Sequence, residues 1–116
     1  MESGAKRSRR RPVARLDAET ASAVASTLHA LAAPGRLLIL AQLRHGPLTV
    51  TVLAQAVGKS QPFVSQQLGI LRTAGLVTST RLGRTVSYRL AGEHVTELLD
   101  DVAYHSGRVQ AGATST

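Results

Sequence analysis

Residues 51–90 read TVLAQAVGKSQPFVSQQLGILRTAGLVTSTRLGRTVSYRL, and the architecture is written there. Leu53, Ala54 and Val57 fall on one side of a short helix over 51–57, with Thr51 as its cap and Gly58 closing it. Ser60 is placed to cap a second helix over 61–73. Pro62 is tolerated in that helix because first-turn N–H groups have no intrahelical partner. Val64, Leu68 and Leu71 give it a buried stripe, and Gly75 stops it. The period then switches from 3.6 to 2. Val86, Tyr88 and Leu90 alternate with Thr85, Ser87 and Arg89, after a β-prone stretch over 76–82. Gly83-Arg84 supplies the turn between them. Helix, tight turn, helix and hairpin together predict a winged helix-turn-helix.

The flanks complete the fold class, mainly α with a small β-hairpin. On the N-terminal side, Ala21, Val24, Leu28 and Leu31 recur at helical spacing, with Asp17 as cap. Pro34 then opens a second helix over 34–45, ended by Gly46-Pro47. On the C-terminal side, Val95, Leu98, Leu99 and Val102 mark a last helix over 93–106 or slightly beyond. The expected order is four helices, two strands and a fifth helix within a domain over 16–109. Residues 1–15, with Lys6, Arg7, Arg9, Arg10, Arg11 and Arg15 against Glu2, read as a disordered basic arm. Residues 110–116 read as a flexible tail.

Charge narrows the function. Net charge is +7 over 116 residues, and residues 21–91 carry seven cations without one carboxylate. That stretch holds no paired-carboxylate site, no carboxylate-bound Mg²⁺ and no complete Ser-His-Asp relay. An enzyme is not expected. A surface free of acids faces a polyanion without repulsion. With no cysteine in the chain, disulfides and thiolate metal sites are excluded. Aromatic residues are limited to Phe63, Tyr88 and Tyr104, too few for a base-stacking platform. No apolar run reaches membrane-spanning length and no signal core is evident, so a cytoplasmic protein without membrane contact is expected.

If the apolar stripe of the 61–73 helix faces inward, Gln61, Pro62, Ser65, Gln66 and Gly69 face outward, with Arg72 further along. Glutamine pairs bidentately with adenine, and serine meets bases or phosphate. Gln67 is counted with Gln61, Ser65 and Gln66 among the candidate contacts. Arg81, Arg84 and Arg89 on the hairpin are placed to meet phosphates or the minor groove. Double-stranded DNA is the expected partner. The plainer alternative is a merely solvated polar helix face.

Three segments carry a resemblance. LHALAAPGRLLILAQLRHGPLTV (28–50), LAQAVGKSQPFVSQQLGILRTAGLV (53–77) and TRLGRTVSYRL (80–90) resemble the ArsR/SmtB family of bacterial winged-helix, metal-responsive regulators. The ending HVTELLDDVAYHS (94–106) is similar to that family's nickel- and cobalt-sensing branch. The resemblance covers about residues 17–106. It implies a homodimer bound to an inverted-repeat operator, with metal usually releasing the DNA.

His94 and His105 lie eleven residues apart, about three turns or 16 Å along one helix, so one ion cannot join them within a chain. Two antiparallel copies would set His94 of one beside His105 of the other, as the resemblance implies. Glu93, Glu97 and Asp101 are candidate oxygen donors, and such N/O ligation suits Ni(II), with Co(II) or Zn(II) behind it. The match is half complete. Gly92 stands where the family has Asp, Arg108 where it has a final His, and the N-terminal histidine of some nickel sensors has no counterpart in residues 1–4. His29 and His45 have no partner at ligand spacing.

Two alternatives stay open. One is a regulator that ignores metal, either constitutive or controlled by a protein co-regulator. The other is a protein–protein interaction module whose arm binds nucleic acid non-specifically.

Overall fold

A computed structural model describes residues 16–114, with side chains up to residue 108. The basic arm of residues 1–15 lies outside the described residues. The order is α1 (Ala18–Leu31), α2 (Pro34–Leu43), β1 (Leu48–Thr49), α3 (Val50–Val57), α4 (Gln61–Thr73), β2 (Val77–Leu82), β3 (Thr85–Leu90) and α5 (Glu93–Thr114).

Three of the helix starts are set by side-chain caps. The Asp17 carboxylate accepts from the Thr20 N–H at 2.8 Å, which also holds its pKa below the ordinary carboxylate value. Ser60 Oγ accepts from the Phe63 N–H at 3.2 Å and starts α4. The cap of α3 is Thr49, whose Oγ1 accepts from the Val52 N–H at 3.3 Å. Thr51, the expected cap, already lies inside the helix. The cause is β1, which the sequence pattern does not announce: Leu48 and Thr49 pair antiparallel with Tyr88 and Ser87. That pairing holds Thr49 extended, so the helix begins at the next residue.

The sheet has the strand order β1-β3-β2. The hairpin runs in register from Val77 opposite Leu90 to Leu82 opposite Thr85. Gly83 takes φ +64° at its tip, a conformation that disfavours any residue with a Cβ.

The core is aliphatic, as three aromatic residues require. Ile39 and Leu40 of α2, Leu53 of α3, Val64, Leu68 and Leu71 of α4, Val77 of β2 and Val95 of α5 are its fully buried members. Burying each such side chain stabilises by about 1.5–3 kcal/mol.

Two helices stand largely outside this core. Among its residues α1 buries only Ala30 and Leu31, at its C-terminal end. Val24 and Leu28 of its expected apolar stripe are 43% and 52% exposed. α1 meets α2 at 85°. α5 anchors through Val95, half-buries Leu98 and Leu99, and leaves Val102 and Tyr104 exposed. It continues to Thr114, through residues expected to form a flexible tail. Gln110, Ala111 and Ala113 are compatible with helix, and no proline stops it. These projecting helices explain a radius of gyration of 16.4 Å, against about 13 Å for a compact chain of 100 residues. Among the described residues no single helix is long and apolar enough to cross a membrane.

Candidate nucleic-acid interface

α3 and α4 are joined by a three-residue turn that depends on Gly58, at φ +70° and ψ +34°. Its N–H and that of Lys59 both donate to the Ala54 carbonyl, at 2.9 and 3.1 Å. The turn satisfies the end of α3 while redirecting the chain into α4.

α4 shows two faces. Val64, Leu68 and Leu71 point into the core, while Gln61, Ser65, Gln66, Gly69 and Arg72 are exposed. The outward set is the one the periodicity predicts, with one correction. Gln67 is 8% exposed, and its Oε1 accepts from Arg36 Nη1 at 3.0 Å. It sits between Val64, Leu68 and Leu71 on the inner face, where no base edge reaches it. Arg36, to which sequence reasoning gives no role, is therefore part of the support beneath the outer face. The only hint of it is that a cation in an acid-free stretch needs carbonyl or amide acceptors when half-buried.

The hairpin register divides the wing arginines. Arg81 lies opposite Val86 and shares the face of Tyr88, while Arg89 lies opposite Thr78 on the other face. Arg84 is in the turn. All three are exposed, but Arg81 and Arg89 cannot meet one phosphate strand from the same side. Arg89 Nε donates to Thr78 Oγ1 at 3.3 Å. Among the described residues no carboxylate pairs with Arg72, Arg81, Arg84 or Arg89. Among the described residues Arg44 and Asp100 do form an ion pair, at 2.8 Å, which ties the end of α2 to α5. Beside the outer face, α1 and α4 flank a groove of about 930 Å³ lined by Ser22, Ser26, His29, Gln66, Gly69 and Thr73, among others.

A profile described as bacterial regulatory protein, arsR family, matches residues 33–79. The HTH-type transcriptional regulator NmtR of Mycobacterium tuberculosis is 54% identical over 104 residues, spanning 90% of this chain and 87% of that protein. The chain belongs to the arsR family. Its fold agrees: the solution structure of apo-NmtR superposes with a TM-score of 0.69 at 55% identity, covering 85% of this chain and 83% of the other. A homodimeric winged helix-turn-helix DNA-binding domain from Mycobacterium bovis, a possible ArsR-family regulator, superposes with a TM-score of 0.72 at 34% identity, covering 83% and 91%. This arsR-family chain is thus a winged-helix transcriptional regulator and not an enzyme.

The candidate metal ligands of this arsR-family chain all lie on α5. His94, His105, Glu93, Glu97 and Asp101 are exposed, and among the described residues no three His, Asp or Glu side chains come close enough to hold an ion. The helix keeps His94 and His105 about 16 Å apart. Within one chain the described residues therefore do not assemble a metal site. At the two departing positions the structure is specific. A Cβ on Gly92 would come within 3.0 Å of His94 Nδ1, so this imidazole rests against the bare glycine. Arg108 is occupied by Tyr104: Nη1 donates to the hydroxyl at 3.3 Å, and the guanidinium lies 5.8 Å from the ring centroid.

Proposed function

We propose that this regulator binds an inverted-repeat site in double-stranded DNA as a homodimer, in the cytoplasm. α4 enters the major groove, with Ser65 and Gln66 at base edges and Gln61 at its leading end. Arg72 and the wing residues Arg84 and Arg89 meet phosphates. The observation that carries this reading is the outer face of α4: amides, a hydroxyl and Gly69, with no acid anywhere in residues 21–91 to repel the backbone. Dimerisation is supported by the apolar surface that α1 and α5 leave bare, including Val24, Leu28 and Val102, and by the homodimeric relative above. A protein–protein module would not need an acid-free belt around a helix-turn-helix.

A divalent metal of the nickel class is the proposed effector, and it requires two chains. Antiparallel α5 helices would bring His94 of one chain beside His105 of the partner subunit, with Glu97 and Asp101 on the same stripe. Gly92 supplies no side-chain donor and Arg108 is a cation, which favours weak binding and so keeps a metal-independent regulator as the second reading.

Selection from a pool of random duplexes, followed by footprinting, tests the first claim. The expected site is a protected inverted repeat of about two helical turns. Repeating the affinity measurement with Ni²⁺ tests the second, and an unchanged affinity selects the metal-independent regulator.

A further inference from the structure

Gln67 is the next residue after Gln66 on α4, yet it faces inward and gives its amide oxygen to Arg36 Nη1 at 3.0 Å. The rest of the guanidinium fork is committed to the last turn of α1. Nε donates to the Ala30 carbonyl at 2.6 Å, and Nη2 donates to the His29 carbonyl at 3.2 Å. Those carbonyls belong to the C-terminal end of a helix, where acceptors are short of intrahelical partners and the dipole is negative; the His29 carbonyl also accepts from the Ala32 N–H at 3.1 Å. One planar group therefore fastens the end of α1 to the middle of α4. No acid in residues 21–91 competes for it. Three fixed acceptors meet three donors of a rigid fork, a geometry that a lysine cannot reproduce. α1 is otherwise lightly held, with only Ala30 and Leu31 buried.

We propose that Arg36 and Gln67 are positioning residues for DNA reading. Together they set the angle between α1 and the recognition helix, and through it the spacing of the two α4 helices in the dimer. The inference rests on the DNA-binding reading above. Neither residue touches DNA. Binding to arbitrary duplex needs only phosphate contacts and tolerates a slack latch. Binding to an inverted repeat needs both recognition helices in place at once and does not.

The test compares affinity for the duplex recovered by selection with affinity for a scrambled duplex of the same length, using fluorescence anisotropy. Circular dichroism melting is recorded alongside. Gln67→Met keeps length and bulk but removes the acceptor, whereas Gln67→Glu keeps an acceptor in place. Gln67→Met is expected to lose about tenfold of the selected-over-scrambled ratio, the order associated with one hydrogen bond to a charged group. Gln67→Glu should keep that ratio within about twofold, although its charge weakens both duplexes alike. Arg36→Lys should lose as much as Gln67→Met, and combining the two should cost no more than either alone. A folded Gln67→Met with the wild-type ratio overturns the proposal, as does a loss equal on both duplexes. If Gln67→Met does not fold, Arg36→Lys and Gln67→Glu decide by the same ratio. A wild-type protein that does not distinguish the two duplexes sinks the DNA-reading assignment itself, and the latch with it.

Discussion

Gly35→Ala places two opposing effects at the foot of the recognition helix. Gly35 lies in the first turn of α2, where alanine is the better helix former by up to about 1 kcal/mol. A Cβ there would stand 2.9 Å from Cζ and 3.1 Å from Cε2 of Phe63. Ordinary carbon–carbon contact is about 3.5–4.0 Å, so the ring must retreat by more than half an ångström. Phe63 is half-buried against the core at the third position of α4, so a retreating ring gives up part of that packing. Overpacking of this kind costs about 1–3 kcal/mol. The net expectation is a loss of about 1 kcal/mol, which for a domain of this size lowers Tm by roughly 4–8 °C. Phe63→Leu should relieve the clash, so the double variant should be more stable than the two single losses predict, by about 1–2 kcal/mol. Urea unfolding at one fixed protein concentration measures all four proteins. A Gly35→Ala protein more stable than the wild type, with no coupling to Phe63→Leu, would show that the ring does not abut this glycine.

Other perturbations probe the interface and the ends of the chain. Ser65→Ala or Gln66→Ala should weaken binding to the selected duplex by about 1–3 kcal/mol and leave scrambled duplex nearly unchanged; equal losses on both would mean that neither residue reads sequence. Deleting residues 1–15 should flatten the salt dependence of DNA affinity, each phosphate contact contributing about −0.9 to the log–log slope, with melting unaltered. In a mixed dimer of His94→Ala and His105→Ala subunits, one shared site loses both histidines and the other keeps both. Ni²⁺ titration should therefore recover one site that neither mutant homodimer has, and its absence would end the inter-subunit model. Because its pKa is lowered in the folded chain, Asp17 stabilises the start of α1 above the ordinary carboxylate range; that contribution drains away as pH falls through the lowered value. Helical content followed by circular dichroism should drop there in the wild type more than in Asp17→Asn.

Much of the fold was legible because punctuation and periodicity agree locally. Asp17, Ser60 and Gly58 each do what their residue type favours, and the step from a 3.6 to a 2.0 period locates the wing to within a residue. β1 was not legible because two residues cannot display a period, and its partner lies about forty positions away. The misplaced cap at Thr51 follows from that same omission. On α4 the stripe Val64, Leu68 and Leu71 fixes which face is inner. Gln67 falls in the same angular sector, and only its polarity argued for the outer face. Where a glutamine points depends on whether an interior partner exists, and Arg36 comes from a helix that local pattern does not connect to α4. The bare stripe of α1 was legible as apolar, but a pattern records that a face avoids water, not which chain covers it. The same limit governs the histidines of α5, whose meeting requires a second copy.

Thr49 ends as the busiest residue of the scaffold. Its backbone closes the last rung of the sheet against Ser87, while its hydroxyl starts α3. β1, the strand that pairs with the hairpin, consequently runs into the first motif helix at this one residue, with no linker between them. A wing that swung away from the body would have to tear that rung or unwind the opening turn of α3. We therefore expect hairpin and helix-turn-helix to move together, with adaptation to differently curved DNA left to the place where the two chains of a dimer join.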